Sequence, residues 1–401
     1  MPPPLADNLV VVLPPASSLR AWAESGLFAR EWAMILAIAG RYERIVVVTF
    51  NGDDERAAFD GLPEHIRAKH SLVCNSANLP RAAFVDRAGA RVRELLPEGQ
   101  SALVRTKELA GGDAAVAIVE ALRAQGRTAG LMARGAFLWT RYIAHAYGPH
   151  SRIAADSAEH EKLLCRSADI VAGTSDRMVE DLAWRYGIDP ARTVVVPNYV
   201  LPVSDDEQVG SKEDGLILCV GRLVARKRIG MLIDAVAQIA RHNPAAHLEV
   251  VGDGPLRTEL ESHAEGANAN VRFIQSMPYA DLRRRMRECC VFAAASELEG
   301  QAKTVLDAMA SGAPVVVADT PGLGGLVQHG VTGLKVAGAT DAFAHVLQEL
   351  LNDAEWREVL GASAARATLA AHALPVVLNH ELAAHERTMQ LAAARQARAA
   401  A

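Results

Sequence analysis

The apolar residues of this chain fall into short continuous runs separated by stretches with helical spacing. Residues 8–13, NLVVVL, are closed by Pro14-Pro15. Small and polar residues over 16–26 read as a loop, residues 27–40 as an amphipathic helix, and residues 44–50, RIVVVTF, as the next run. Runs that are apolar throughout, rather than alternating, mark strands covered on both faces, as in parallel sheets. Further strands are expected at 102–105, 128–133, 168–174 and 193–197, with Ser175 placed to cap the helix after the third of these. A second series opens at Gly215 with GLILCVGRL and continues through HLEVVGDG, VRFIQS, VFAAAS, Val315–Ala318 and GLKVAG. Strand–helix alternation of this kind predicts doubly wound α/β sheets.

Between the two series, residues 201–214 (LPVSDDEQVGSKED) are polar, acidic and without apolar period, which is the signature of a linker. The expected organisation is an N-terminal domain over 1–202, a linker over 203–214 and a C-terminal domain over 215–374. Residues 375–401 form a last helix rich in alanine.

A chain of 401 residues, half of them hydrophobic and 22% charged, is long enough for two buried cores. A net charge of −5 and a pI near 6.2 give no sign of a nucleic-acid binder. Cys74, Cys165, Cys219, Cys289 and Cys290 include no C-x-x-C pair, so free thiols in a reducing cytosol are expected and no zinc site. The N-terminus lacks a basic region ahead of its short apolar run, and there is no stretch of about 18 apolar residues. The expectation is therefore a cytoplasmic protein, with peripheral contact at a membrane surface left open.

The chemistry concentrates in residues 294–312, AASELEGQAKTVLDAMASG, which read as strand end, loop and helix. Amides at the helix start, Ala302, Lys303, Thr304 and Val305, suit a phosphate. Gly300 lets the preceding backbone turn. Glu299 and Asp307, with seven residues between them, can reach opposite ends of an elongated ligand. A capped helix with two solvated acids accounts for the same spacing. After the first strand of the second series come Gly221, Arg222 and Lys227, within GRLVARK. The Arg fork and the Lys point charge suit a diphosphate, while a merely basic loop with Arg226 and Arg228 solvated fits equally on charge alone. The first strand–helix turn lacks G-x-G-x-x-G, which argues against a nicotinamide dehydrogenase. Gly26 alone stands at that helix start. Arg134, His145 and His150 follow strand ends or their loops and are candidate contacts for an acceptor, with surface or structural roles as the plain alternative.

Taken together these segments resemble the retaining glycosyltransferases of family 4, of the GT-B type. GRLVARK matches the family's G-R-L-x-x-x-K. Ser296, Glu299, Gly300, Ala308, Met309, Ala310 and Gly312 match its E-x7-E segment, with Asp307 in place of the second Glu. Gly252 and Gly254 match a G-x-G-P turn, and HGVTG, ending at Gly333, matches as well. Gly325, within PGLGG, stands where many members carry Glu, and Ser25-Gly26 replaces a Gly-Gly pair.

The resemblance implies two Rossmann-like domains with parallel sheets facing a cleft, and a last helix crossing back to the first domain. It implies transfer of a sugar, with retention, from a nucleotide-diphosphate sugar to a glycan or lipid-linked acceptor in cell-surface polysaccharide synthesis, without a metal or other cofactor. Glu299, Arg222 and Lys227 would be catalytic. Asp307 would bind ribose, and Gly26, Gly221, Gly252, Gly300, Ile274, Ser276 and the helix start would line the donor site. Arg134 and His145 would face the acceptor. A sugar-nucleotide isomerase on the same architecture, or a non-catalytic sugar-nucleotide-binding partner protein, are the alternatives. Release of altered sugar without acceptor, or binding without turnover, would distinguish them.

Overall fold

The computed structural model describes residues 5–15, 17–202 and 211–400. It divides into two compact units, one holding the chain up to Pro197 and again from Val377, the other holding Asn198–Val376.

The first unit is built on a seven-stranded sheet. Its strands are β1 (Asn8–Val12), β2 (Arg44–Val48), β3 (His70–Val73), β4 (Ala102–Thr106), β5 (Ala129–Arg134), β6 (Ile170–Gly173) and β7 (Thr193–Val195). All pairs are parallel, and the order is β3-β2-β1-β4-β5-β6-β7, so the winding reverses between β1 and β4. Val10 pairs with Val46 on one side and Val104 on the other. With Val12 and Val48 they join Ile118, Val119 and Leu122 of the helix Gly112–Arg123 in one core.

Two features depart from the apolar-run pattern. Residues 19–24, expected to be loop, form the helix Leu19–Glu24. Ser18 caps it by accepting from the Ala21 amide at 3.0 Å, and Leu19 and Trp22, one turn apart, are buried. Glu55 closes the same end by accepting from the Leu19 amide at 2.8 Å. The edge strand β3 gives no continuous apolar run because His70 and Ser71 occupy half of it.

The final helix, Leu374–Ala400, contributes residues from Val377 onward to the first unit. Glu381 on this helix is fully buried, 2.5 Å from Arg105 Nη1 and 3.2 Å from Arg134 Nε. The two arginines come from β4 and β5. Burial pushes the Glu381 carboxyl up, but Arg105 and then Arg134 outweigh it and hold it far below the ordinary range. His385, one turn on, is also fully buried, and burial pushes its pKa down. A neutral ring with its proton on Nε2 fits both neighbours. Nε2–H donates to Glu381 at 3.1 Å, and Nδ1 accepts from the Tyr42 hydroxyl at 2.7 Å.

The second unit carries a six-stranded parallel sheet. Its strands are β8 (Leu216–Val220), β9 (His247–Val251), β10 (Val271–Ile274), β11 (Val291–Ala294), β12 (Val315–Ala318) and β13 (Leu334–Val336). The order is β10-β9-β8-β11-β12-β13, again reversing beside the first strand. Residues 203–210 of the expected linker lie outside the described residues. Residues 212 and 213, also expected in the linker, are instead anchored on the second unit. Lys212 donates to the Cys289 carbonyl at 2.9 Å, and Glu213 pairs with Arg285 at 2.5 Å. Among the described residues no helix is long and apolar enough to cross a membrane.

Glu381→Gln leaves two buried guanidinium groups without their carboxylate, and is expected to cost about 3–5 kcal/mol in urea unfolding. Acid should act in the same direction. Both Glu381 and His385 have lowered pKa values in the folded chain, so the unfolded chain binds more protons. Their contribution is present at neutral pH. That of His385 is lost as pH falls below about 6.5, and that of Glu381 below about 4.3. A titration in which stability is flat from pH 7 to pH 4 would contradict this.

Candidate functional site

The site of the second unit begins with strand order. β8 and β11 are neighbours, with Phe292 opposite Leu218, and lie on either side of the reversal point. Their carboxyl ends therefore open next to each other, where loops of open α/β sheets meet ligands. β8 leads into Gly221, Arg222 and the 3-10 turn Ala225–Lys227, and β11 leads into Ser296–Gly300.

These loops meet at Glu299. Its Oε1 lies 2.7 Å from Lys227 Nζ and 2.8 Å from Arg226 Nη1. The Glu299 side chain is 8% exposed, Lys227 15% and Arg226 18%. Burial pushes the carboxyl up, but Lys227 and then Arg226 outweigh it, and a hydrogen bond from Ser296 adds to them. The net shift is downward, so Glu299 is ionised. Arg226 also donates to the Leu298 carbonyl at 3.2 Å, and its own carbonyl accepts from the Glu297 amide at 2.8 Å. Arg228 Nε lies 3.5 Å from Glu297. Three consecutive basic residues thus grip three consecutive loop residues. Arg226 and Arg228, expected to be solvated, both face the acidic loop. The sequence signal was their adjacency to Lys227, whose turn carries all three toward β11.

Two glycines permit the close packing behind this pair. A Cβ on Gly252, at the end of β9, would stand 2.0 Å from the Gly221 carbonyl oxygen. Gly322 has φ +87°, and a Cβ there would stand 2.1 Å from the Glu299 carbonyl oxygen. The Glu299 amide donates to the Pro321 carbonyl at 3.2 Å, and Thr320 Oγ1 to the Ser296 carbonyl at 2.6 Å. The turn PGLGG, which could pass in sequence for a phosphate loop, is a buttress under Glu299.

The helix after this loop is Lys303–Ala310, preceded by Ala302 with no side-chain cap. The Val305 amide donates to the Ala302 carbonyl at 3.2 Å, so it is not the free donor expected at the helix start. Gln301 is fixed by Asn198, whose amide reaches Gln301 Oε1 at 2.6 Å and whose Nδ2 reaches the Gln301 carbonyl at 2.8 Å. Asp307 is only 3% exposed, and its Oδ1 accepts from the Tyr279 hydroxyl at 2.9 Å. Tyr279 opens the helix Tyr279–Glu288 after Pro278 and was not singled out in the sequence.

The remaining expected residues are divided between the two units. Arg222 is exposed beside Gly221. The Ile274 carbonyl accepts from the Gly252 amide at 2.8 Å, and Ser276 is exposed just beyond β10. Gly26, in the first unit, has φ +70° after the helix Leu19–Glu24. His145 is exposed in the last turn of the helix Trp139–Tyr147. Arg134 is corrected: at 6% exposure and paired with Glu381, it is an interior ion-pair residue rather than a group offered to an acceptor. Among the described residues no cluster of three or more His, Cys, Asp or Glu could hold a metal ion.

Residues 204–367 match the family model described as glycosyl transferases group 1. A D-inositol 3-phosphate glycosyltransferase of Kribbella flavida is 32% identical over 226 residues, 51% of this chain and 53% of that protein. A GDP-mannose-dependent monoacylated alpha-(1-6)-phosphatidylinositol monomannoside mannosyltransferase of Corynebacterium glutamicum is 33% identical over 156 residues, 37% of this chain and 41% of its own. The chain thus spans about half the length of the curated relatives it matches. Among solved structures, sucrose-phosphate synthase of Thermosynechococcus elongatus superposes with a TM-score of 0.71 at 20% identity, covering 98% of this chain and 100% of its own. Anabaena HepE in complex with UDP gives a TM-score of 0.69 at 19% identity, covering 93% and 97%. These likenesses establish the two-domain α/β GT-B fold.

Gly322→Ala places a side chain at positive φ and against the Glu299 backbone, and should lower the stability of the second unit by at least about 2 kcal/mol. Gly325→Ala, where a Cβ meets nothing within 4 Å, should change stability by less than about 0.5 kcal/mol. Urea unfolding of the two variants makes the comparison, and equal effects would contradict the buttress.

Proposed function

We propose that this protein is a retaining glycosyltransferase that moves a sugar from a nucleotide-diphosphate sugar to a glycan or lipid-linked acceptor. The observation that carries the reading is the Lys227–Glu299 pair at the reversal point of the second sheet, 2.7 Å apart and largely enclosed. One partner is a cation suited to a departing diphosphate. The other is an ionised carboxylate suited to sugar hydroxyls. The family match over 204–367 and the UDP bound in the HepE crystals support a nucleotide-sugar donor. The named substrates of the curated relatives support an acceptor bearing a polyol phosphate or a lipid.

In the mechanism that follows, Lys227 and the exposed Arg222 receive the diphosphate as negative charge develops on it. The start of the helix Lys303–Ala310 adds its dipole. These fixed positive groups can neutralise the leaving group without a divalent ion. Glu299, held by cations and Ser296, orients the sugar instead of attacking it. The diphosphate leaves as its bond to the anomeric carbon breaks, takes the proton of the acceptor hydroxyl and guides that oxygen onto the face it leaves, so configuration is retained. Asp307, beneath Tyr279, holds the ribose end. Gly26 serves the donor and His145 the acceptor. A cytoplasmic location, where nucleotide sugars are made, and a role in cell-surface polysaccharide synthesis complete the reading.

Lys227→Ala and Glu299→Ala are each expected to lower transfer by about 100-fold or more while unfolding near the wild-type temperature. Transfer is followed with a panel of nucleotide sugars, and the anomeric proton coupling of the product reports its configuration. Near wild-type turnover in either variant, or an inverted product, would overturn the assignment.

A further inference from the structure

We propose that Arg226 is a positioning residue: it keeps the Glu299 carboxylate paired so that Lys227 can leave it for the donor diphosphate. This rests on the donor-site reading above and adds a residue to it. Lys227 has two anions to serve. Its ammonium sits on Glu299 Oε1 at 2.7 Å, and Glu299 is its only ionic partner among the described residues. A diphosphate competes for the same ammonium.

Glu299 cannot lose that cation without a substitute. Its side chain is 8% exposed, and at such a site the loss of a cation leaves the desolvation of the carboxylate less well offset. That cost would be subtracted from donor binding. Arg226 removes it, because Nη1 reaches the same Oε1 at 2.8 Å. Anchoring decides which of the two cations moves. Arg226 is tied to the acidic loop by the Leu298 carbonyl at 3.2 Å and by its own carbonyl on the Glu297 amide at 2.8 Å. Lys227 has a flexible stem and no such second tie. Its Nζ lies beside Gly221, 3.3 Å from where a Cβ would stand, at the mouth of β8 next to Arg222. The ammonium is therefore already near the phosphate position when it turns from Glu299. Arg226 suits the stationary role because its Nη1, with two hydrogens, serves the Glu299 carboxylate and the Leu298 carbonyl together.

The test is a double-mutant cycle read by calorimetric titration of the full chain with UDP, GDP and ADP, which needs no acceptor and no turnover. Arg226→Ala should weaken the best-bound nucleotide by about tenfold or more, since Glu299 then holds Lys227 against the diphosphate. In the Glu299→Gln background the same substitution should change affinity by less than about twofold, because the amide does not retain Lys227. Arg226→Lys should restore part of the loss. Equal losses in both backgrounds would overturn the inference, whether Arg226 touches phosphate directly or only supports the fold. Unfolding temperatures of each variant separate those two cases. If the wild-type chain binds none of the three nucleotides, the donor-site reading falls and the inference falls with it. Binding by wild type with uncoupled losses removes the inference alone.

Discussion

A carboxylate can remain ionised out of water only if cations stand within hydrogen-bonding distance, and both units of this protein are built around that constraint. In the first, Glu381 is flanked by Arg105 and Arg134. In the second, Glu299 is flanked by Arg226 and Lys227. Each acid has two cations delivered by loops or strands of a parallel sheet, and each has its pKa lowered against burial. What separates them is access. Glu381 is sealed, with His385 and Tyr42 completing a neutral shell, and can only hold structure together. Glu299 keeps a small opening, and one of its cations sits on a flexible stem. The same electrostatic solution gives rigidity in one unit and exchangeable pairing in the other.

Backbone proximity is the second requirement. The carboxyl ends of β8, β9 and β11 can converge only where side chains are absent, and Gly252 against Gly221 supplies one such approach. Gly322 against Glu299 supplies another, from the turn after β12. The acid is thus held by its side chain from one direction and by its main chain from another.

Much of this was legible in residue order. Strands such as NLVVV, LILCV and VVVA read directly because a parallel sheet covered on both faces needs apolar residues at every position. GRLVARK and the Glu299 segment were also visible, because strand end, loop and helix are contiguous in sequence. Long-range electrostatics was not. Arg134 read as ligand-facing because its partner, Glu381, is 247 residues away. Arg226 read as solvated because a basic run is usually a surface feature, and only the β8–β11 pairing brings it to Glu299. The helix Leu19–Glu24 was hidden for a different reason: its six residues carry too little apolar periodicity to register, and its stability comes from Ser18 and Glu55 at its end.

The place of Glu381 also orders events in time. Most of the first unit precedes the second in sequence, yet its interior cations, Arg105 and Arg134, meet their carboxylate only when residue 381 has been made. During synthesis the entire second unit, Asn198–Val376, emerges before that carboxylate exists. The first unit is therefore completed after the second, and until then Arg105 and Arg134 lack the carboxylate that pairs with them in the fold.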